Sequence, residues 1–210
     1  MRIALINENS QANKNSLIYE TLNKVAKKYN HEVFNYGMSD DNDANITYVG
    51  AGLLAAILLN SKAVDFVITG CGTGEGAMLA CNSFPNVNCG LVIDPTDVIL
   101  FAKINDGNAI SIPFAKGFGW AAELNLEQIF ENLFTTDFGS GYPIERVEPE
   151  QRNKKILDKV KEVTHRPITD ILNEIDQDLL LSVINTNYFK DNFFKYSKNE
   201  EINNIIKTKL

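Results

Sequence analysis

The chain has 210 residues, 44% hydrophobic and 22% charged, with a net charge of −7, the profile of a globular protein long enough for an α/β domain with an extension. No apolar run approaches the roughly 20 residues that cross a bilayer, no charged start and long apolar core mark a signal peptide, and no basic cluster offers nucleic acid a footprint. The expectation is a cytoplasmic protein with neither membrane nor nucleic-acid partners. Its three cysteines, Cys71, Cys81 and Cys89, contain no CxxC pair, which argues against a disulfide framework and a structural zinc site; neither metal nor cofactor is expected.

Arg2 to Asn7 reads as a strand, left through Glu8, Asn9 and Ser10. Asn13 to Tyr29 has a helical period, with Leu17, Ile18, Leu22, Val25 and Ala26 on one face and Lys14, Glu20, Lys24 and Lys27 on the other. Glu32 to Gly37 is a second strand; Ser39 to Asn45 is polar loop, and Tyr48 to Leu59 is helical. Phe66 to Thr69 is the third strand. Cys89 to Ile93 is the fourth, with Asp94-Pro95 as its stop, then Asp97 to Ile104 is helical and Asn105 to Asn108 turns. Ala109 to Phe114 is the fifth strand and Trp120 to Phe134 a helix. Strict alternation of strand and helix predicts a Rossmann-like, doubly wound, five-stranded parallel sheet over residues 1–149.

From Asp137 the character changes. DFGSGYPIERVEPE reads as an extended arm, followed over residues 150–210 by a helical C-terminal extension: Gln151 to Val163, Ile168 to Ile175, Asp178 to Phe194 and Glu201 to Lys209. Phe189, Phe193, Phe194 and Tyr196 recur at helical spacing, the pattern of residues packed on the sheet domain or on a second subunit.

The chemistry concentrates in VITGCGTGEGAMLACNSFP, Val67 to Pro85. A strand runs into Gly70, Gly72, Gly74 and Gly76 and then into a helix, so uncovered backbone N–H groups form an anion-binding nest with Cys71 inside it. A thiol there is favoured as thiolate. Gly72, Gly74 and Ala77 with Asp94 also satisfy a dinucleotide spacing, but such a fingerprint opens the first βαβ unit rather than following a third strand, and it leaves the cysteine unexplained. Cys81 and Cys89 read as packed thiols.

CGTGEG with NSFP after it, DP closing the next strand, ND in the following loop, then FxxGxG and ERVE, resemble the ribose-5-phosphate isomerase B and galactose-6-phosphate isomerase family from Met1 to about Glu148. The resemblance implies a metal-independent aldose–ketose isomerase acting on a sugar phosphate through an enediolate, at sites built between two subunits of a homodimer or dimer of dimers. It makes Cys71 the proton-transfer base and Gly72, Gly74, Glu75 and Gly76 the enediolate site, with Thr73 on the substrate hydroxyls and Tyr48 and Asn105 as further contacts. Glu75 stands two residues before the position where one branch places a carboxylate base, so a first-turn acid on the helix dipole is its plainer role. Where the family carries Asp-His, this chain has Glu8-Asn9; where it carries the ring-opening histidine, Ile104; and of two phosphate-gripping arginines, Arg146 with Tyr142 in the other position.

The chain has two histidines. His31 precedes the second strand in a solvated or packed setting, while His165 and Arg166 are expected to fold over a site, in this chain or a partner, and replace the missing imidazole and guanidinium; a plain helix boundary before Pro167 is the competing reading. Two further functions fit the same residues: a sugar-phosphate-binding protein that has lost catalysis, and one subunit of a hetero-oligomeric isomerase.

Overall fold

A computed structural model describes residues 1–38 and 45–210 of the chain; the polar loop predicted at Ser39 to Asn45 lies, but for Asn45, outside them. Strands β1 (Arg2–Asn7), β2 (Glu32–Asn35), β3 (Phe66–Cys71), β4 (Cys89–Leu91) and β5 (Ala109–Pro113) form one parallel sheet in the order β2-β1-β3-β5-β4. The winding reverses between β1 and β3, and the crevice beyond their carboxyl ends is where a doubly wound sheet binds ligands.

Between the strands run α1 (Asn15–Lys28), α2 (Tyr48–Asn60), α3 (Glu75–Asn82) and α4 (Pro95–Leu100), and α5 (Ala122–Thr135) follows β5. On one face of the sheet, Ile18, Leu22 and Val25 of α1 meet Leu126, Ile129 and Phe130 of α5 over Ile3, Leu5 and Ile110. Lys24 pairs with Glu127 at 3.0 Å and Lys28 with Glu131 along the outer edge, a surface contribution worth little beside the buried aliphatics. Asp94 is more than the strand stop predicted: it begins α4 in a capping box, accepting from Thr96 N at 2.7 Å while Asp97 accepts from Asp94 N at 3.3 Å. A π-helical turn, Phe101–Asn105, continues α4.

The other face explains α2. Every residue from Gly50 to Leu59 is buried, so this helix has no solvated stripe and is covered on both sides. Its second cover is the extension: α7 (Ile168–Glu174), α8 (Gln177–Ile184), α9 (Asn187–Tyr196) and α10 (Glu200–Lys209) place Leu172, Leu180, Val183, Phe193 and Ile206 in one core with the α2 leucines. The predicted packing of the tail aromatics on the sheet domain is therefore realised; Phe34 lies 5.1 Å from Tyr196 and Tyr36 5.6 Å from Tyr188 between ring centroids. Phe189 and Phe193 stack at 4.6 Å and are fully buried. Phe193→Ala is expected to lower the unfolding free energy by about 3–5 kcal/mol, and a single cooperative urea transition for both proteins checks that the extension and the sheet share one core.

The two larger differences from the sequence reading lie toward the C-terminus. The Asp178 to Phe194 segment is two helices, because the Thr186 hydroxyl accepts from Phe189 N at 3.1 Å and caps α9; apolar spacing that continues across a cap conceals the break. The predicted arm ends early, in a 3-10 turn at Ile144–Arg146 and in helix α6 (Val147–Thr164), which carries the chain across the 149/150 junction without interruption. Pro149 is tolerated because a first-turn N–H has no helical partner to lose. Among the described residues no helix is long and apolar enough to cross a membrane.

Candidate active site

Cys71 is the last residue of β3, and α3 begins four residues later. The intervening turn needs glycine at two points. Gly74 has φ +78°, and a Cβ on it would lie 2.7 Å from Leu91. A Cβ on Gly70 would fall 2.2 Å from the Ile112 carbonyl oxygen and 2.4 Å from the Phe114 ring. Gly70→Ala is expected to cost about 3 kcal/mol by overpacking, read as a lower urea midpoint at unchanged slope. The loop's other side is stitched to the end of β5: Phe114 N donates to Cys71 O at 2.8 Å, and Ala115 N and Lys116 N both donate to Gly72 O at 3.0 and 2.8 Å.

Around the sulfur the structure gathers residues from three carboxyl ends. The open side of Gly76 is the marker: a methyl group there would touch the Tyr48 ring at 3.3 Å and Cys71 Sγ at 3.6 Å. Tyr48 opens α2, where the Thr47 hydroxyl caps Gly50 N at 3.2 Å, and half of its surface is exposed. Gly74 brings no capping side chain to α3, and Thr73 Oγ1 accepts from Glu75 N at 3.3 Å. Glu75 is the exposed first residue of α3, suitably placed for the helix dipole. Cys71 is a free, buried thiol. The arrangement suits a proton-transfer group beside fixed donors that meet an anion as it forms.

Glu8 and Asn9 stand at the neighbouring end of β1. Glu8 is buried, accepting from Ser10 N at 3.0 Å and from the Ser10 hydroxyl, while Asn9 N donates to Ile46 O at 2.7 Å. The sequence reading missed two residues here. Residues Asn9–Lys14 form a 3-10 turn rather than the start of α1, which turns Lys14 inward from the outer helical face predicted for it. Lys14 Nζ donates to Gln11 Oε1 at 2.7 Å and to the Phe114 carbonyl, and Gln11 Nε2 lies 3.7 Å from where a Gly72 Cβ would be. The signal was the polar run between strand and first apolar helical residue, too short to show its own period.

Asn105, Tyr142 and Arg146 form a separate, exposed group. Asn105 ends the turn after α4, just before β5, and so lies at the amino end of the sheet. Gly139 N and Gly141 N donate to Ala102 O and Lys103 O at 3.0 and 2.9 Å, and Tyr142 N to Glu150 Oε2 at 3.0 Å, which fastens the Tyr142–Arg146 segment beside Asn105. In the strand register Cys71 is level with Pro113, and Val67 with Ala109. The Cys71 group and the Asn105 group of one chain are thus separated by at least the length of that strand, roughly 13 Å at about 3.3 Å per residue.

His165 and Arg166 also lie at the amino end, not on the glycine loop of their own chain. They line a cleft of about 560 Å³ with Asn60, Asn86 and Asn88, and their polar groups are engaged: His165 Nε2 is 3.3 Å from Asn82 O, and Arg166 grips Glu174 with a second contact of 2.6 Å. The cleft is the seam between α6 and the strand ends, closed by Asn88 Nδ2 on Asp158 at 3.4 Å and by Lys161 on the Val87 carbonyl. Burial there holds the Lys161 amine below its ordinary range. Within one chain α6 carries these residues beneath β4 and away from the loop, so of the two placements expected for them only a site in a partner chain is left. His165→Ala with Arg166→Ala is expected to leave kcat/KM unchanged in a steady-state assay. His31 is partly buried, edge-on to Phe134 at 5.0 Å, and burial lowers its pKa.

Residues 3–149 match the sequence model described as Ribose/Galactose Isomerase, and residues 163–208 a second described as Ribose-5-phosphate isomerase. The whole fold superposes on a crystal structure of a 4-deoxy-L-threo-5-hexosulose-uronate ketol-isomerase complexed with a tartrate, at 55% identity and TM-score 0.97, over 100% of this chain and 99% of that one. It is also similar, at 50% identity with the same TM-score of 0.97 and the same coverage, to a ribose-5-phosphate isomerase of Vibrio parahaemolyticus. The type B ribose 5-phosphate isomerase of Trypanosoma cruzi shares the fold at 16% identity and TM-score 0.64, over 78% of this chain and 99% of its own.

Proposed function

The chain belongs to the ribose/galactose isomerase family and is an aldose–ketose isomerase, and on that premise we propose that Cys71 is its base and an open-chain keto-sugar acid its substrate. The reading that the fold has lost catalysis is set aside with the same premise. The observation that carries the proposal is the placement of Cys71 Sγ against Gly76 and the Tyr48 ring, at the open first turn of α3. The thiolate removes the proton from the carbon beside the carbonyl, the electron pair moves onto the carbonyl oxygen, and backbone N–H groups between Gly72 and Gly76 hold the enediolate. The same thiol returns the proton to the adjacent carbon while the hydroxyl proton crosses between the two oxygens, so nothing is gained or lost overall.

The second half of the site comes from a partner copy in a homodimer. Asn105, Tyr142 and Arg146 lie too far from Cys71 to serve it in one chain, and an isologous pairing places each group against the other chain's loop. That half also supports the choice of substrate. One guanidinium beside a phenol matches a single carboxylate, which takes a bidentate pair from one arginine, better than a phosphate dianion. The 55% identical ketol-isomerase acts on such a uronate. A sugar phosphate is the second reading, favoured by the family match and by the Vibrio enzyme. Incubation in heavy water with 4-deoxy-L-threo-5-hexosulose uronate and, separately, with ribose 5-phosphate tests both: deuterium entering beside the carbonyl identifies the substrate. Exchange with the phosphate alone would overturn the sugar-acid reading.

A further inference from the structure

We propose that Trp120 is a gate residue that swings on Gly119 over a substrate held at Cys71, an inference resting on the isomerase reading above. The loop after β5 is bound to the Cys71 loop at its base, and at its tip a single turn, closed by Ala122 N donating to Gly119 O at 3.1 Å, carries Trp120. At the base, Ala115 N and Lys116 N donate to Gly72 O at 3.0 and 2.8 Å. Midway, Phe118 is pinned: Phe118 N donates to Ala115 O at 3.2 Å, and its ring lies 6.2 Å from Phe114 and 4.9 Å from Lys14 Nζ. Two residues on, Trp120 is 100% exposed.

A large aromatic in full contact with water, on a loop whose base is bonded to the Cys71 loop, has apolar surface to bury. The swing has that one backbone hydrogen bond to open and two unobstructed glycines to turn on. Nothing lies within 4 Å of where a Cβ would stand on Gly117 or Gly119, and Gly117 has φ +73°. Ala121 sits in the left-handed region at φ +66°, where an alanine is strained, and it gives α5 no side-chain capping hydrogen bond. The Phe118 anchor fixes the radius of movement: Trp120 Cα stays within two residues of a ring already packed on the Lys14 and Gln11 side of the loop, about 7 Å. Closed, the indole lies over the C–H side of the sugar chain and shields the enediolate from water.

Trp120 is the only tryptophan in the chain, so intrinsic fluorescence reads this position directly. The free protein is expected to emit as a water-exposed indole and to be quenched freely by acrylamide. With saturating 4-deoxy-L-threo-5-hexosulose uronate or ribose 5-phosphate, whichever exchanges deuterium in the same sample, emission shifts to the blue and quenching falls several-fold. Trp120→Ala loses about tenfold in kcat/KM at unchanged Tm, and Trp120→Phe recovers most of it. Turnover with unchanged emission would overturn the gate and leave the isomerase reading standing. Blue, protected emission before any sugar is added would also overturn it, by placing the indole in a contact between copies. Absence of exchange with both sugars would remove the isomerase reading and the gate together.

Discussion

Replacing Cys71 by alanine is expected to reduce turnover by about 10²- to 10⁴-fold, the range a positioned general base supplies, while the protein still folds and binds substrate. The sulfur is small and at the edge of the core, so the cavity left is minor beside those of the Leu53 and Phe130 type. The measurement is deuterium exchange beside the carbonyl together with overall isomerisation, since a base lost from the chemical step removes both equally. Cys71→Ser sharpens the comparison: a hydroxyl keeps the geometry but is far too weak an acid to stand ready as its anion, so serine should be nearly as inactive as alanine. Substantial exchange in either variant would transfer the role to another group of the proposed site, with Glu8, Glu75 or Tyr48 as the residues to replace next.

Mixing two inactive variants is expected to restore activity. Cys71→Ala keeps Arg146, and Arg146→Ala keeps Cys71; refolded together at equal amounts, half the dimers are mixed, and each mixed dimer holds one intact site and one with both defects. About a quarter of wild-type activity should return. The expectation follows from the register, which puts the loop and the Asn105–Arg146 group of one chain at opposite ends of β5. Activity no higher than the sum of the two variants would mean that each chain holds its whole site. A full-strength wild-type preparation of one purified chain also removes any need for a second, homologous subunit. The single variant Tyr142→Arg, assayed by itself on both sugars, asks about the anion: a second guanidinium should favour ribose 5-phosphate over the uronate, by the electrostatics of a doubly charged group.

Local sequence determined most of the frame. Arg2 to Asn7 and Ala109 to Phe114 read as strands because short β-branched runs between turn residues have few other solutions, and strict alternation with helices leaves a parallel sheet. The thiol in its glycine loop was legible for the same reason: Gly70 and Gly74 occupy backbone positions no other residue fits. What tertiary structure alone decided depends on contacts distant in sequence. The inward turn of Lys14 follows from the Phe114 carbonyl, a hundred residues on. The seat of His165 and Arg166 beneath β4 follows from the path of α6, which periodicity cannot give because a helix pattern fixes a face and not a direction. The all-round burial of α2 was written in its composition, yet only the fold shows that the extension is its second cover. The glycine loop is thus a local property of the chain, whereas the separation of the two residue groups, on which the proposed two-chain site rests, arises from the length of a strand.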